Sequence, residues 1–341
     1  MSATIKHIDI KGVQIPVIFE EQKALPILNL QLVFQNSGYI QDKNKSGLVS
    51  LSSKLLNEGT NELGATKFAE KLEENAISLA ASNGFETFVI ELSNLKEQSK
   101  KGIELLTALL KSPNYTQDTL NKLKTMQTGS LKRKENDFDY VANNQLKSVL
   151  FKGTTLENSA AGTIESISKI ELKDIENFIS QTVCLENLII VAGGDFELKE
   201  FEKLVKPLLE TLNVGKKAQL EEVNFISKKE EKVLIKDTQQ AYIYFGSSFN
   251  INSKDEENYK AKVASFILGG SGFGSRLMEE IRVKRGLAYS AYGSISINKS
   301  HSYFNGYLQT KNETADEAKK LVGEIIEDFV KNGVTNDELS A

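Results

Sequence analysis

The stretch LGGSGFGSRLMEEIRVKRGLAYSAYGS, residues 268–294, is the most distinctive part of the sequence. The chain has 42 lysines and arginines, of which only four are arginines. Three of those four lie inside this stretch, within a span of ten residues. A glycine-rich turn precedes a helical pattern, Gly286 follows it, and strand-like alternation begins near Tyr289. Arginine differs from lysine in presenting a planar, two-pronged set of N–H donors. The stretch therefore predicts a helix–turn–strand unit that uses at least one arginine for its geometry.

The composition is that of an ordinary globular protein and excludes several classes of partner. Of its 341 residues 40% are hydrophobic and 26% charged, and the formal net charge is −4. That charge gives no reason to expect binding to nucleic acid or to a membrane surface. The N-terminal residues do not form a signal-peptide pattern, and no apolar run approaches the length of a membrane span. We therefore expect a cytoplasmic protein, or a periplasmic one if a leader has been removed.

Histidine and cysteine are too scarce to build common metal or disulfide frameworks. The chain has two histidines, His7 and His301, and neither has a second good ligand within several residues. A site that needs two or three histidines from this chain is therefore excluded. The single cysteine, Cys184, precedes an apolar run and is expected to be a buried small side chain.

The order of predicted elements repeats along the chain. Strand alternation, amphipathic helices, a strand region and further helices fill the first 215 residues, including a charged helical stretch from Thr116 to about Phe151. Residues 213–232 are rich in Lys and Glu without periodicity and are predicted to be a linker. After the linker the same order of strands and helices begins again.

We therefore predict an α+β fold with two duplicated domains, each a mainly antiparallel sheet covered by helices. The N-terminal domain would comprise residues 1–215 and the C-terminal domain residues 233–341. The second copy stops where the first still has the segment 120–215 to run. We accordingly expect the second domain to be incomplete.

The stretch 268–294 resembles a C-terminal-domain motif of the pitrilysin/insulinase family of zinc peptidases, which includes the mitochondrial processing peptidase. In that motif a Gly-rich turn is followed by Ser-Arg-Leu at the start of a helix, then by an Arg and, seven residues later, a Tyr. Here the pair is Arg282 and Tyr289. The resemblance implies a processing-peptidase-like fold and gives this pair a catalytic role as donors to substrate and transition state.

A second segment, residues 46–60, resembles the family's zinc helix but has lost its ligands. Catalytic members carry the inverted motif His-x-x-Glu-His on this helix, in which two His bind the metal and the Glu activates water. The matching positions here are Ser50, Ser53 and Lys54, and the register of the family's third ligand, a Glu, falls near Ser130. The resemblance implies that these degenerate positions hold no metal, so any zinc is expected in a partner subunit.

These two segments together imply a noncatalytic subunit of a heterodimeric zinc metallopeptidase, inactive alone. The partner would be a zinc-bearing homologous subunit, and the substrate a peptide or unfolded protein held in a composite site. In the family the strand matching residues 82–93 lies at a sheet edge and pairs with extended peptide. No cofactor is expected in this chain itself.

Other functions remain open on sequence grounds. The chain could be a catalytically inactive peptide-binding or scaffold homologue that acts without a protease partner. A hydrolase that uses Ser50, Ser53 and Lys54 as a serine–lysine catalyst has no further support, because both residue types are common on amphipathic helices.

The glycines and the remaining arginines have simpler interpretations. The segment GGSGFGS lacks the Gly-Lys-Ser/Thr of a nucleotide loop, so a tight turn is the better prediction. Arg276 and Arg285 are expected to pair with Glu279, Glu280 or backbone carbonyls, which leaves Arg282 as the functional candidate.

Overall fold

A computed structural model describes residues 3–223 and 228–341, in which it contains nine strands and twelve α-helices. The strands are β1 (Thr4–Ile10), β2 (Val13–Glu21), β3 (Ile27–Gln35), β4 (Ser78–Asn83), β5 (Thr87–Leu95), β6 (Leu188–Gly194), β7 (Gln240–Ser248), β8 (Ala288–Ile297) and β9 (Ser302–Lys311). The helices are α1 (Leu48–Leu56), α2 (Gly64–Glu74), α3 (Ser99–Lys111), α4 (Gln117–Lys134), α5 (Phe138–Leu150), α6 (Ile164–Lys169), α7 (Leu172–Thr182), α8 (Leu198–Leu209), α9 (Asn258–Ser265), α10 (Arg276–Met278), α11 (Ala315–Asn332) and α12 (Asn336–Ser340).

The chain forms two compact units whose boundaries differ from the predicted ones. Among the described residues the first unit comprises residues 3–132 and 158–219, and the second comprises residues 133–157, 220–223 and 228–341. The sequence placed residues 133–157 in the N-terminal domain, whereas α5 packs against β7 of the second unit. Tyr244 Oη donates to Asp139 Oδ1 at 2.9 Å, and the rings of Phe138 and Tyr242 lie 6.1 Å apart.

The linker predicted over residues 213–232 stays a prediction. It includes residues 224–227, which lie outside the described residues.

The first unit is built on a six-stranded sheet in the order β1-β2-β6-β3-β5-β4. All neighbouring strands are antiparallel except β2 and β6, which are parallel. Along β3 the residues Leu28, Leu30, Leu32 and Phe34 are at most 1% exposed while the alternate residues face away, as the period of two predicts. These side chains form the main core under the helices.

The second unit has a three-stranded antiparallel sheet in the order β7-β9-β8. The strand order first–third–second is the same as in β3-β5-β4 of the first unit. The prediction of two similar α+β units with mainly antiparallel sheets is thus confirmed. Apolar residues of the stretch 268–291, of β9 and of α11 form the core of this unit.

Two details of the predicted element pattern are corrected. The helical stretch from Thr116 to Phe151 is two helices, α4 and α5, because Asp137 caps the second one: its Oδ1 accepts a hydrogen bond from the Tyr140 N–H at 3.1 Å. The strand within residues 82–93 is β5, which lies between β3 and β4. The sheet edge on this side is therefore β4.

Candidate functional site

The helix that matches the family's zinc helix is α1, and its frame is held by glycines and a buried carboxylate. Gly47 and Gly59 have φ of +92° and +77°, a conformation that favours glycine. The two oxygens of Asp42 accept hydrogen bonds from the N–H groups of Gly47 and Val49, each at 2.8 Å. Burial raises the pKa of Asp42 to about 7, and the two N–H donors oppose that shift. This end of α1 is therefore fixed without any contribution from a metal.

The positions of α1 that match the family's zinc motif carry neutral or cationic side chains, and two of these, Ser53 and Lys54, are hydrogen-bonded within the chain. Ser53 is 5% exposed, and its Oγ lies 3.0 Å from both the Ser50 carbonyl oxygen and Asn83 Oδ1. The Lys54 ammonium donates a hydrogen bond to the side-chain oxygen of Gln127 on α4. In each of these contacts the side chain of α1 acts as a hydrogen-bond donor, whereas a metal ion requires a ligand that offers an electron pair.

The residue that meets Lys54 is Gln127, which the sequence did not single out. Gln127 is 5% exposed and donates from Nε2 to the carbonyl oxygen of Ala161 at 2.9 Å. Ser130, the position predicted from the register of the third ligand, lies one helical turn further along α4 and is half-buried. Glutamine has the shape of glutamate with an amide in place of the carboxylate, so Gln127 offers one neutral oxygen here.

A zinc ion does not fit these residues. Zinc in proteins is bound by imidazole, thiolate or carboxylate groups, whereas the positions above supply hydroxyls, an ammonium and an amide. Within the described part of the chain no group of three or more His, Cys, Asp or Glu side chains is arranged to hold a metal ion.

The second unit brings Arg282 and Tyr289 together, as the motif predicts. A π-helical turn, Glu279–Val283, carries Arg282 and ends where the Gly286 N–H donates to the Arg282 carbonyl oxygen at 2.9 Å. Gly286 has a φ of +63°, which lets the chain reverse into β8. The guanidinium carbon of Arg282 then lies 4.8 Å from the centre of the Tyr289 ring.

Phe273 covers another part of the same guanidinium, at 4.7 Å from ring centre to Cζ. The residues Phe273 and Tyr289 are 64% and 73% exposed, and Arg282 is half-buried. Among residues 3–223 and 228–341 no hydrogen bond or ion pair engages the Arg282 guanidinium. A guanidinium held by stacking keeps its in-plane N–H donors for another group.

The two other arginines of the stretch are engaged. Arg276 donates to both carboxylate oxygens of Glu338 at 2.7 and 2.6 Å, to Asp328 at 3.2 Å and to the Gly333 carbonyl oxygen at 2.9 Å. The guanidinium holds the pKa of Glu338 at about 2.

Arg285 pairs as expected with Glu280, donating to its side-chain and main-chain oxygens at 2.6 and 2.7 Å. Arg276 does not use the neighbouring glutamates, because its side chain lies against α11 and α12 instead. Of the three arginines, Arg282 is thus the one whose guanidinium has no hydrogen bond or ion pair within residues 3–223 and 228–341.

Comparison with known proteins shows the family to which the chain is similar. The sequence model of the family described as "Peptidase M16 inactive domain" matches residues 169–341, just over half of the chain. A protein of Helicobacter pylori named "Non-peptidase homolog YmxG" is 44% identical over 338 residues, which are 99% of this chain and 78% of that protein. The chain belongs to the peptidase M16 family.

Solved structures of similar fold include a peptidase M16 inactive domain from Pseudomonas fluorescens, with a TM-score of 0.89 and 24% identity. That comparison covers 99% of this chain and 82% of the other. A protease from Helicobacter pylori gives a TM-score of 0.85 at 18% identity, covering 99% and 83% of the two chains. At these identities the likeness shows the M16 fold alone. None of the helices in the described residues is long and apolar enough to cross a membrane.

Proposed function

We propose that this M16 chain is the noncatalytic subunit of a heterodimeric zinc metallopeptidase. Arg282 and Tyr289 would contribute to a composite site in which a homologous, zinc-bearing subunit supplies the metal and its ligands. The observation that carries the proposal is the contrast between the two motifs. The donors of Arg282 are free of partners in the described residues, while the metal positions on α1 are filled by Ser53, Lys54 and their hydrogen-bond partners.

The chemistry of peptide hydrolysis gives such a pair a role. Attack on the peptide carbonyl makes a tetrahedral intermediate whose oxygen carries negative charge, and a fixed donor beside that oxygen lowers the barrier by roughly 2.7–4 kcal/mol. Arg282 can direct two N–H groups toward one oxygen or toward neighbouring substrate carbonyls. Tyr289 supports the guanidinium with its ring and carries a phenolic donor.

Reconstitution with a zinc-bearing M16 protein encoded by the same genome tests the proposal. Fluorescein-labelled casein is expected to be cleaved by the mixture at equimolar ratio and not by this chain alone. Arg282→Ala is expected to lower kcat/KM of the mixture by roughly 100-fold, in line with the loss of one such donor. Arg282→Lys keeps the charge and removes the fork, and Tyr289→Phe keeps the ring and removes the hydroxyl.

Arg285→Ala is the matched control, because Arg285 is paired with Glu280. This variant is expected to change kcat/KM by less than about twofold. If Arg282→Ala changes the activity of the mixture no more than Arg285→Ala does, the shared site is wrong.

A peptide-binding or scaffold role without a protease partner is the second candidate, and the edge of the first sheet favours it. Strand β4 pairs with β5 on one side and ends the sheet on the other. The N–H and carbonyl groups of Ala81 in β4 are hydrogen-bonded to the Asn57 side chain, so extended peptide can add by main-chain hydrogen bonds only beside that residue. The name of the H. pylori relative, a non-peptidase homolog, is compatible with either role. Native mass spectrometry of the protein from source cells separates them: a heterodimer supports the first, and a monomer or homodimer with uncleaved peptide supports the second.

A further inference from the structure

Phe273 is an exposed aromatic residue in the glycine-rich segment that the proposed reaction does not use. Its ring centre lies 4.7 Å from the Arg282 guanidinium carbon, almost the same distance as the Tyr289 ring at 4.8 Å. Phe273 is 64% exposed and is not part of the apolar core of the second unit. Packing in the core therefore does not explain why a large apolar side chain stands here.

The turn around Phe273 is fixed by its neighbours. Gly272 has a φ of +65°, and its carbonyl oxygen accepts from both the backbone N–H and the side-chain hydroxyl of Ser275, at 2.9 and 2.7 Å. Ser275 is fully buried, so this double hydrogen bond is shielded from water. Upstream, a β-carbon on Gly269 would lie 2.3 Å from the backbone nitrogen of Gly293, so the backbone of the segment runs close against β8 and leaves no room for a side chain at position 269.

The glycine-rich segment thus closes a rigid turn whose one projecting aromatic side chain lies on Arg282. A flexible arginine has many rotamers, and two aromatic contacts reduce the number that it visits while leaving its N–H edge unobstructed. We propose that Phe273 is a positioning residue, which together with Tyr289 clamps the Arg282 guanidinium in the orientation needed for donation to substrate. The proposal rests on the proposed function for its consequence in proteolysis, but the clamp itself is a property of this chain alone.

The clamp is tested first in the isolated chain, by NMR of the arginine Nε–Hε groups. With four arginines the spectrum has four signals, and Arg282→Lys identifies the one from position 282. Phe273→Leu is expected to move that signal toward the position of an unstacked arginine, because it removes the ring current of one aromatic ring. Phe273→Tyr, which restores a ring, is expected to leave the signal near its original position.

Phe266→Leu is the matched control, since Phe266 is a phenylalanine of similar exposure, 60%, on the neighbouring π-helical turn and contacts no arginine guanidinium in the described residues. If Phe273→Leu moves the Arg282 signal no more than Phe266→Leu does, the clamp is wrong. This readout does not depend on any partner or substrate.

The consequence for proteolysis is tested in the mixture with the zinc-bearing subunit and labelled casein. Phe273→Leu is expected to lower kcat by about threefold to tenfold with KM unchanged, the range that corresponds to loss of one cation–π contact. Phe273→Tyr is expected to restore kcat. An unchanged kcat for Phe273→Leu, in a mixture that Arg282→Ala inactivates, would overturn the positioning role and leave the proposed function standing. If Arg282→Ala itself has no effect, the proposed function fails, and the NMR result still decides the clamp.

Discussion

The contact between α1 and α4 predicts which substitutions would build a zinc site in this chain. Ser50 and Lys54 lie one helical turn apart on α1, and Gln127 on α4 meets Lys54. The combined substitutions Ser50→His, Lys54→His and Gln127→Glu would place two imidazoles and one carboxylate at this contact, a set of ligands that binds zinc.

The size of the effect follows mainly from Lys54. An ammonium about 4 Å from a dication repels it by about 8 kcal/mol at an effective dielectric constant of about 20. That energy corresponds to roughly a millionfold in binding constant. The triple variant is therefore expected to bind one zinc ion with a Kd below about 1 µM, while a variant that keeps Lys54 and carries only the other two substitutions binds none at that concentration.

Competition with a chromophoric chelator, followed by metal analysis after desalting, measures the affinity and the stoichiometry. The matched control replaces Gln127→Glu with Ser130→Glu and leaves the two histidines in place. It is expected to bind zinc at least tenfold more weakly, because Ser130 lies one turn away from the contact with Lys54. Tighter binding by the Ser130→Glu variant, or equal binding by the variant that keeps Lys54, would refute this account of the degenerate site.

Three further outcomes follow from the second unit. Arg276→Ala is expected to lower the free energy of unfolding, measured by urea titration, by about 2 kcal/mol, because it removes the charge-assisted hydrogen bonds of a largely buried guanidinium. Arg285→Ala removes a more exposed ion pair and is expected to lower it by less than about 1 kcal/mol. The Arg276 guanidinium lowers the pKa of Glu338 from its ordinary value of about 4.5 to about 2, so the pair stabilises the fold above about pH 4.5 and loses that contribution as the pH falls toward 2. The Tm advantage over Glu338→Gln should vanish over this window, and an advantage that is constant with pH would contradict the assignment. Gly286→Ala is expected to lower the free energy of unfolding by about 1 kcal/mol in the same titrations, because residue 286 has a φ of +63°. Crowding does not contribute, since no non-neighbouring atom lies within 4 Å of the added β-carbon. An unchanged free energy of unfolding would show that the turn does not need glycine.

The sequence was most informative where one periodic pattern decides burial. The alternation in β3 fixes which side chains enter the core, and the positive φ of Gly286 follows from a glycine placed between a helical pattern and a strand pattern. The resemblance to the M16 family supplied the Arg282–Tyr289 pair, which the structure brings into contact.

The sequence was least informative where two distant segments meet. The contact of Lys54 with Gln127 joins positions 73 residues apart, so the sequence alone did not single out Gln127. Ser130 as the counterpart of the family's third ligand stays a prediction. Phe273 carried a local signal, an aromatic side chain between two glycines, but only the fold shows that it lies on Arg282. The break at Asp137 was missed because a capping Asp and a solvated helical Asp look alike in a charged sequence.

The central claim, that Arg282 stabilises the tetrahedral oxygen in a partner's active site, is tested most directly with a phosphonate peptide that mimics the intermediate. In the mixture with the zinc-bearing subunit, Arg282→Ala is expected to raise the Ki of the phosphonate by roughly the 100-fold factor lost in kcat/KM, while the Kd of an uncleaved substrate peptide changes by less than about threefold. Equal weakening of both ligands, or of neither, would contradict the claim.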